Sequence, residues 1–117
     1  NALMDKLHEK LERKEFETIQ QYVQLSDWKA AIMASEHFYK AYPISARTEK
    51  LMLLQLEAHY QLAKNSVVSK MADRLQQVQD QYVKFVSQFP ESSYISRAEI
   101  ISKDAKALKD KLTRNGF

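Results

Sequence analysis

The sequence predicts an all-α fold of about five antiparallel helices packed as hairpins, and three observations carry that expectation. One glycine and two prolines among 117 residues leave little turn chemistry for a sheet. Leu, Ala, Lys, Glu and Gln, by contrast, favour helix throughout. Apolar residues recur at three- and four-residue spacing along most of the chain, which is helical periodicity. One motif also occurs twice: Phe38-Tyr39-Lys40-Ala41-Tyr42-Pro43-Ile44-Ser45 and Phe85-Val86-Ser87-Gln88-Phe89-Pro90-Glu91-Ser92, with the leading rings 47 positions apart. In each copy two rings at i, i+4 share a helical face. A proline then stops the helix, and a serine can cap the next one.

Each element follows in order. Leu3, Leu7, Leu11, Phe16, Ile19, Tyr22 and Val23 form the apolar stripe of a first helix ending near Leu25, with Asp5, Glu9, Glu12 and Arg13 opposite. Ser26 or Asp27 caps a second helix from Trp28, whose Ala30, Ala31 and Ala34 let a neighbour approach closely. That helix stops at Tyr42, because a residue before proline is pushed out of helical geometry. Ser45 caps a third helix with Leu51, Leu54, Ala58, Tyr60 and Leu62 inward, and Asn65 provides a left-handed stop. After a linker at Asn65–Ser69, a fourth helix buries Met71, Leu75, Val78, Tyr82, Phe85, Val86 and Phe89. Ser92 or Ser93 caps a fifth, with Tyr94, Ala98, Ile101, Ala105, Leu108 and Leu112 inward, ended by Asn115-Gly116. The single domain divides into a hairpin over 3–43, a longer one over 45–90 and a capping helix over 92–114.

The charge surplus of +3 is unevenly placed. Between Arg97 and Arg114, Lys103, Lys106, Lys109, Lys111 and the two arginines face only Glu99, Asp104 and Asp110. The interleaved acids favour a solvated terminal helix with cations near its C-terminus, where the helix dipole favours them. A nucleic-acid surface on Lys103 to Arg114 is the rival reading, marked by a steep salt dependence of binding.

Chemistry is sparse. Without cysteine there are no disulfides, thiolate metal sites or cysteine nucleophiles. His8, His37 and His59 are too scattered for a metal pair, and no glycine-rich phosphate loop exists. The serines sit at caps, with no base or oxyanion site beside them. The chain therefore predicts no enzyme, no cofactor and no metal. Trp28, Phe38, Tyr42, Tyr82, Phe85 and Phe89 are expected in the core, with Tyr39 and Tyr94 as exposed anchors because they fall off the main stripes. No apolar run is long enough to span a membrane. The Asn1-Ala2 start predicts a fragment of a longer protein, and a truncated array would expose apolar residues at Leu3, Leu7 and Leu11.

Tyr22, Asp27-Trp28, Ala31-Ile32 and Pro43 resemble the aromatic, turn, small-residue and terminal-proline positions of the tetratricopeptide repeat. Ile19 and Phe38 depart from that pattern, and the second copy is longer. Trp28–Pro43, the run His59-Tyr60-Gln61-Leu62-Ala63-Lys64-Asn65-Ser66, and Tyr82–Ser93 followed by Ala98-Glu99-Ile100-Ile101 together resemble the C-terminal repeats of the BamD family. Those are lipoproteins of the outer-membrane β-barrel assembly machinery. The resemblance covers nearly the whole chain from about Leu3 to Leu112. It implies a right-handed solenoid fragment on the periplasmic face of the outer membrane, held by a lipid anchor outside this segment. It also implies that the fragment is the partner-binding half, docking the barrel-assembly protein through its periplasmic domains and helping present barrel substrates, without nucleic acid. Tyr39, Tyr94, Lys103, Lys106, Lys109 and Arg114 are the partner-binding residues expected from the sequence. The alternative is a cytoplasmic, chaperone-type tetratricopeptide adaptor. There a carboxylate clamp would need paired cations, and Lys50 lacks an obvious second one.

Overall fold

A computed structural model describes residues 1–115. It contains five helices and, among the described residues, no strand: α1 (Ala2–Gln24), α2 (Trp28–Ala41), α3 (Thr48–Lys64), α4 (Val68–Gln88) and α5 (Ile95–Arg114). The expected helices are all present. Gly116, expected to end α5, lies outside the described residues. Asn115 closes the helix by donating its backbone N–H to Lys111 and Leu112.

The duplicated motif folds the same way twice. Tyr42 has φ −131° and ψ 70°, and Phe89 has φ −132° and ψ 63°. Each donates its N–H to the phenylalanine carbonyl four residues back, at 2.8 Å. The ring pairs repeat too, with centroids 4.9 Å apart for Phe38–Tyr42 and 5.8 Å for Phe85–Phe89. The serines, however, are not helix N-caps. Ser45 Oγ accepts from the N–H of Arg47, and Ser92 Oγ from that of Tyr94, each at 3.0 Å. They close a turn two residues ahead of the cap, because the chain leaving the proline must reverse before a helix can begin. Arg47 and Tyr94 occupy the cap positions, without a side-chain cap bond. Residues α2-turn-α3 and α4-turn-α5 are thus two copies of one unit.

The other turns differ from expectation in instructive ways. Ser26 sits at φ 59°. Asp27 donates its N–H to Tyr22 and Ser26 to Val23, the paired bonds of a Schellman stop. Ser26 therefore ends α1, while Asp27 caps α2 by accepting from Ala30 at 3.3 Å. Asn65 is not left-handed (φ −98°, ψ 13°); its Nδ2 donates to the Gln61 carbonyl, so the side chain does the capping. The expected linker is shorter than five residues, since α4 already begins at Val68. Arg74 donates to Ser66 Oγ, which donates to the Leu62 carbonyl, holding that turn closed.

Helix α3 is the axis of the packing. It contributes Leu51 to a cluster with Phe16, Ile19 and Phe38, and Met52, Leu56 and Ala63 to a larger one with Leu75, Val78, Phe85, Ala98, Ile101 and Ala105. A helix touched on several sides buries more than one stripe. This explains why Met52, Gln55 and Leu56 are buried while Leu54, Tyr60 and Leu62 are only half-buried. Phe38 and Phe85 are fully buried, whereas Trp28, Tyr42, Tyr82 and Phe89 are half-buried. Alanines 58, 63, 98 and 105 are fully buried and let the helices close on one another.

Helix α3 adjoins both α1 and α5, while no Cα of α2 lies within 8 Å of α4. One layer is closed and the other is split by a groove. The molecule is elongated, 60 × 29 × 20 Å. Arg47 ties the start of α3 to α1 through Glu9 (2.6 Å) and Glu12 (2.9 Å), and that guanidinium holds the Glu9 carboxyl below its usual range. Every residue of α1 before Leu11 is exposed, with Leu3 at 76%, Leu7 at 49% and Leu11 at 48%.

Candidate partner-binding surfaces

Side chains of α2, α3 and α4 build the groove. Gln55, only 2% exposed, lies on α3 beneath it. Its Oε1 accepts from the Tyr39 hydroxyl at 2.9 Å and its Nε2 donates to Glu36 at 2.7 Å. A buried amide is tolerated because its polar atoms are paired. Burial, with the Glu36 carboxylate as a second cause, pushes the Tyr39 phenol far up, so the hydroxyl stays a donor. Met52 and Thr48 complete the floor, and Gln81, Lys84 and Gln88 form the facing wall, enclosing about 250 Å³. Those three stand at i, i+3 and i+7 on one face of α4.

His59 lies one turn beyond Gln55 on α3. Its Nε2 is buried without a hydrogen-bond partner, and burial pulls the imidazole below its ordinary value of 6.5, against a raising influence from Glu36. The folded chain thus favours neutral His59 and the unfolded chain binds the proton more tightly. Stability is complete above 6.5 and falls as pH drops through 6.5 toward the lower folded value. We expect urea midpoints to decline over that window and His59→Leu to flatten the decline; equal slopes in the two proteins would disprove the assignment.

The residues expected to bind partners are not gathered in one place. Tyr39 is not an exposed anchor. It is half-buried, packs against both core clusters and is committed to Gln55. Tyr94 is likewise half-buried, against the larger cluster, at the start of α5. Falling off the main stripe did not mean exposure, because α2 and the α4–α5 turn each meet more than one neighbour. On α5, Lys103 pairs with Glu99 at 3.1 Å and Lys109 donates to Gln76 on α4 at 2.6 Å. Lys106 and Arg114 are exposed. Lys103, Lys106 and Arg114 lie toward one side of the helix, and Lys109 turns to α4. Lys50 sits 5.9 Å over the Phe16 ring.

The 47-residue register explains the charge on α5. Met52, Leu56 and Ala63, by which α3 packs into the larger core, correspond to Glu99, Lys103 and Asp110. That face of α5 is suited to water or a polar partner, not to a helix packed as α4 is. The groove residues Glu36, Gln55, Gln81, Lys84 and Gln88 were missed from the sequence. The signals were a lone glutamine inside Leu51–Leu56 and a polar i, i+3, i+7 row on α4.

Among the described residues, no three of His, Asp and Glu converge on a common point, and no helix is long and apolar enough to cross a membrane. Compared with known families and with curated proteins, the chain matches no family model and no curated protein.

Proposed function

We propose that this chain is a non-catalytic protein-interaction scaffold, a tetratricopeptide-like array resembling the C-terminal repeats of BamD. In this reading it works on the periplasmic side of the outer membrane in β-barrel protein assembly, held by a lipid anchor outside these residues. Its partner is the barrel-assembly protein with periplasmic domains. The observation that supports this best is the hairpin repeated at 47 residues with matching turn, ring pair and cap. Repeats joined edge to edge present long side-chain surfaces, and such surfaces serve binding. Apolar anchors would supply most of the affinity, and the cations of α5 would set orientation and encounter rate.

The test is capture from outer-membrane extract with this chain as bait, alongside a variant carrying Lys106→Glu, Lys109→Glu and Arg114→Glu. A barrel protein with periplasmic domains, captured by the parent and lost in the variant, is the expected outcome. Undiminished capture by the variant moves the contact away from α5. Capture of no such barrel protein by either sinks the assembly role and leaves a helical-repeat scaffold.

A further inference from the structure

The two copies of the repeat share a turn, a ring pair and a core phenylalanine, but they differ at three positions along the groove side. Glu36, Tyr39 and Gln55 of the first copy correspond to Val83, Val86 and Ser102 of the second. The second hairpin forms with valines where the first carries an acid and a phenol. The turn, ring pair and core phenylalanine thus form in the second copy without the triad, where Ser102 pairs with Gln79 instead.

The triad has a physical effect. Gln55 is held by Tyr39 and holds Glu36 in turn, so a carboxylate is fixed on one wall of the cleft before any ligand arrives. Pre-organisation of this kind lowers the ordering cost of binding. On the opposite wall, Gln81, Lys84 and Gln88 have no hydrogen-bond or ion-pair partner among the described residues. Two of them carry amides, each offering donors and an acceptor, the same complement that a peptide main chain presents. From Gln81 to Gln88 that wall runs about 10 Å along the helix. An extended chain covers that length with about three residues.

We propose that the groove between α2 and α4 is a second binding site, which takes an extended polypeptide segment carrying a single basic side chain. The main chain pairs with Gln81 and Gln88, the arginine or lysine meets Glu36, and Met52 and Thr48 form the floor. Lys84 on the facing wall repels a run of positive charges, so one basic residue is favoured over several. The site lies on the split layer of the molecule, away from the α5 cations. It adds to the scaffold reading but does not depend on the barrel-assembly partner, and a failure of either is seen separately.

The test is a titration of the isotope-labelled chain followed by side-chain amide resonances. The probes are two short unstructured Ser/Thr/Val peptides, one with a central arginine and one with a central glutamate. The expected result is movement of the Gln55, Gln81 and Gln88 amide signals with the arginine peptide at up to millimolar concentration. Binding of the glutamate peptide, and of the arginine peptide to Glu36→Gln, should be weaker by about three- to fivefold, as for a partly exposed ion pair. Gln88→Trp, at an exposed position, should block the cleft without touching the core. Signals confined to α1 or α5, or equal binding of both peptides in parent and Glu36→Gln chains, would overturn the proposal. So would a Gln88→Trp chain that unfolds at the parent urea midpoint yet binds the arginine peptide as well as the parent does.

Discussion

Phe85→Ala is expected to destabilise the chain by about 3–5 kcal/mol, the range for truncating a buried phenylalanine. The ring is fully buried and belongs to the larger cluster, to which α3, α4 and α5 all contribute. Three helices contribute to that cluster, so no one of them can fill the space by moving alone. The loss is a large part of the roughly 5–15 kcal/mol that a domain has in total. Urea unfolding should show a lower midpoint with an unchanged slope. Phe38→Ala is the internal control, since Phe38 is the equivalent ring in the smaller cluster. A Phe85→Ala loss below about 1 kcal/mol would mean that the larger cluster does not hold the hairpins together.

The second large effect is expected from Gln55→Glu. The substitution barely changes the volume, but it places a carboxyl against Glu36, where the amide now donates at 2.7 Å. It also does so at a site that is 2% exposed. An uncompensated buried charge costs about 3–5 kcal/mol. Burial and the neighbouring carboxylate both favour the protonated form, so the new group titrates higher when folded than when unfolded. Its protonated form is retained in the folded chain, and stability falls as pH rises between the two values. The variant should unfold like the parent in acid, lose stability as pH rises, and reach its full deficit near neutral pH. A deficit that does not change with pH would show that the cost is steric.

Gln55 also marks where sequence reasoning stopped. Helical periodicity identified five helices because each apolar stripe repeats at a spacing that only one secondary structure satisfies. The turn chemistry was partly legible. Pro43 and Pro90 end their helices for a local reason, the clash of the ring with the preceding residue. Ser45 and Ser92 were expected to cap and instead close turns. Local sequence does not say how many residues the chain needs to reverse before its next helix can dock.

Burial was less legible than helix formation. Tyr39 and Tyr94 are off the principal stripes yet half-buried, and Gln55 is polar yet buried. All three lie on segments that touch more than one neighbour, and a single-stripe reading assumes only one. The basic residues of α5 were visible as a composition. Their division into Lys103 paired with Glu99, Lys109 turned to α4, and exposed Lys106 and Arg114 was not.

The all-α class, the helix order and the duplication at 47 residues are legible in the chain before it folds. Each is written in local spacing, and local spacing sets backbone conformation through sterics and propensity. The burial of α3 on more than one side, the separation of α2 from α4, and the cleft that sets Glu36, Tyr39 and Gln55 against Gln81, Lys84 and Gln88 arise on folding. Those facts depend on the angles at which whole helices pack. The packing angles come from the summed fit of many side chains, and no short stretch of sequence carries them.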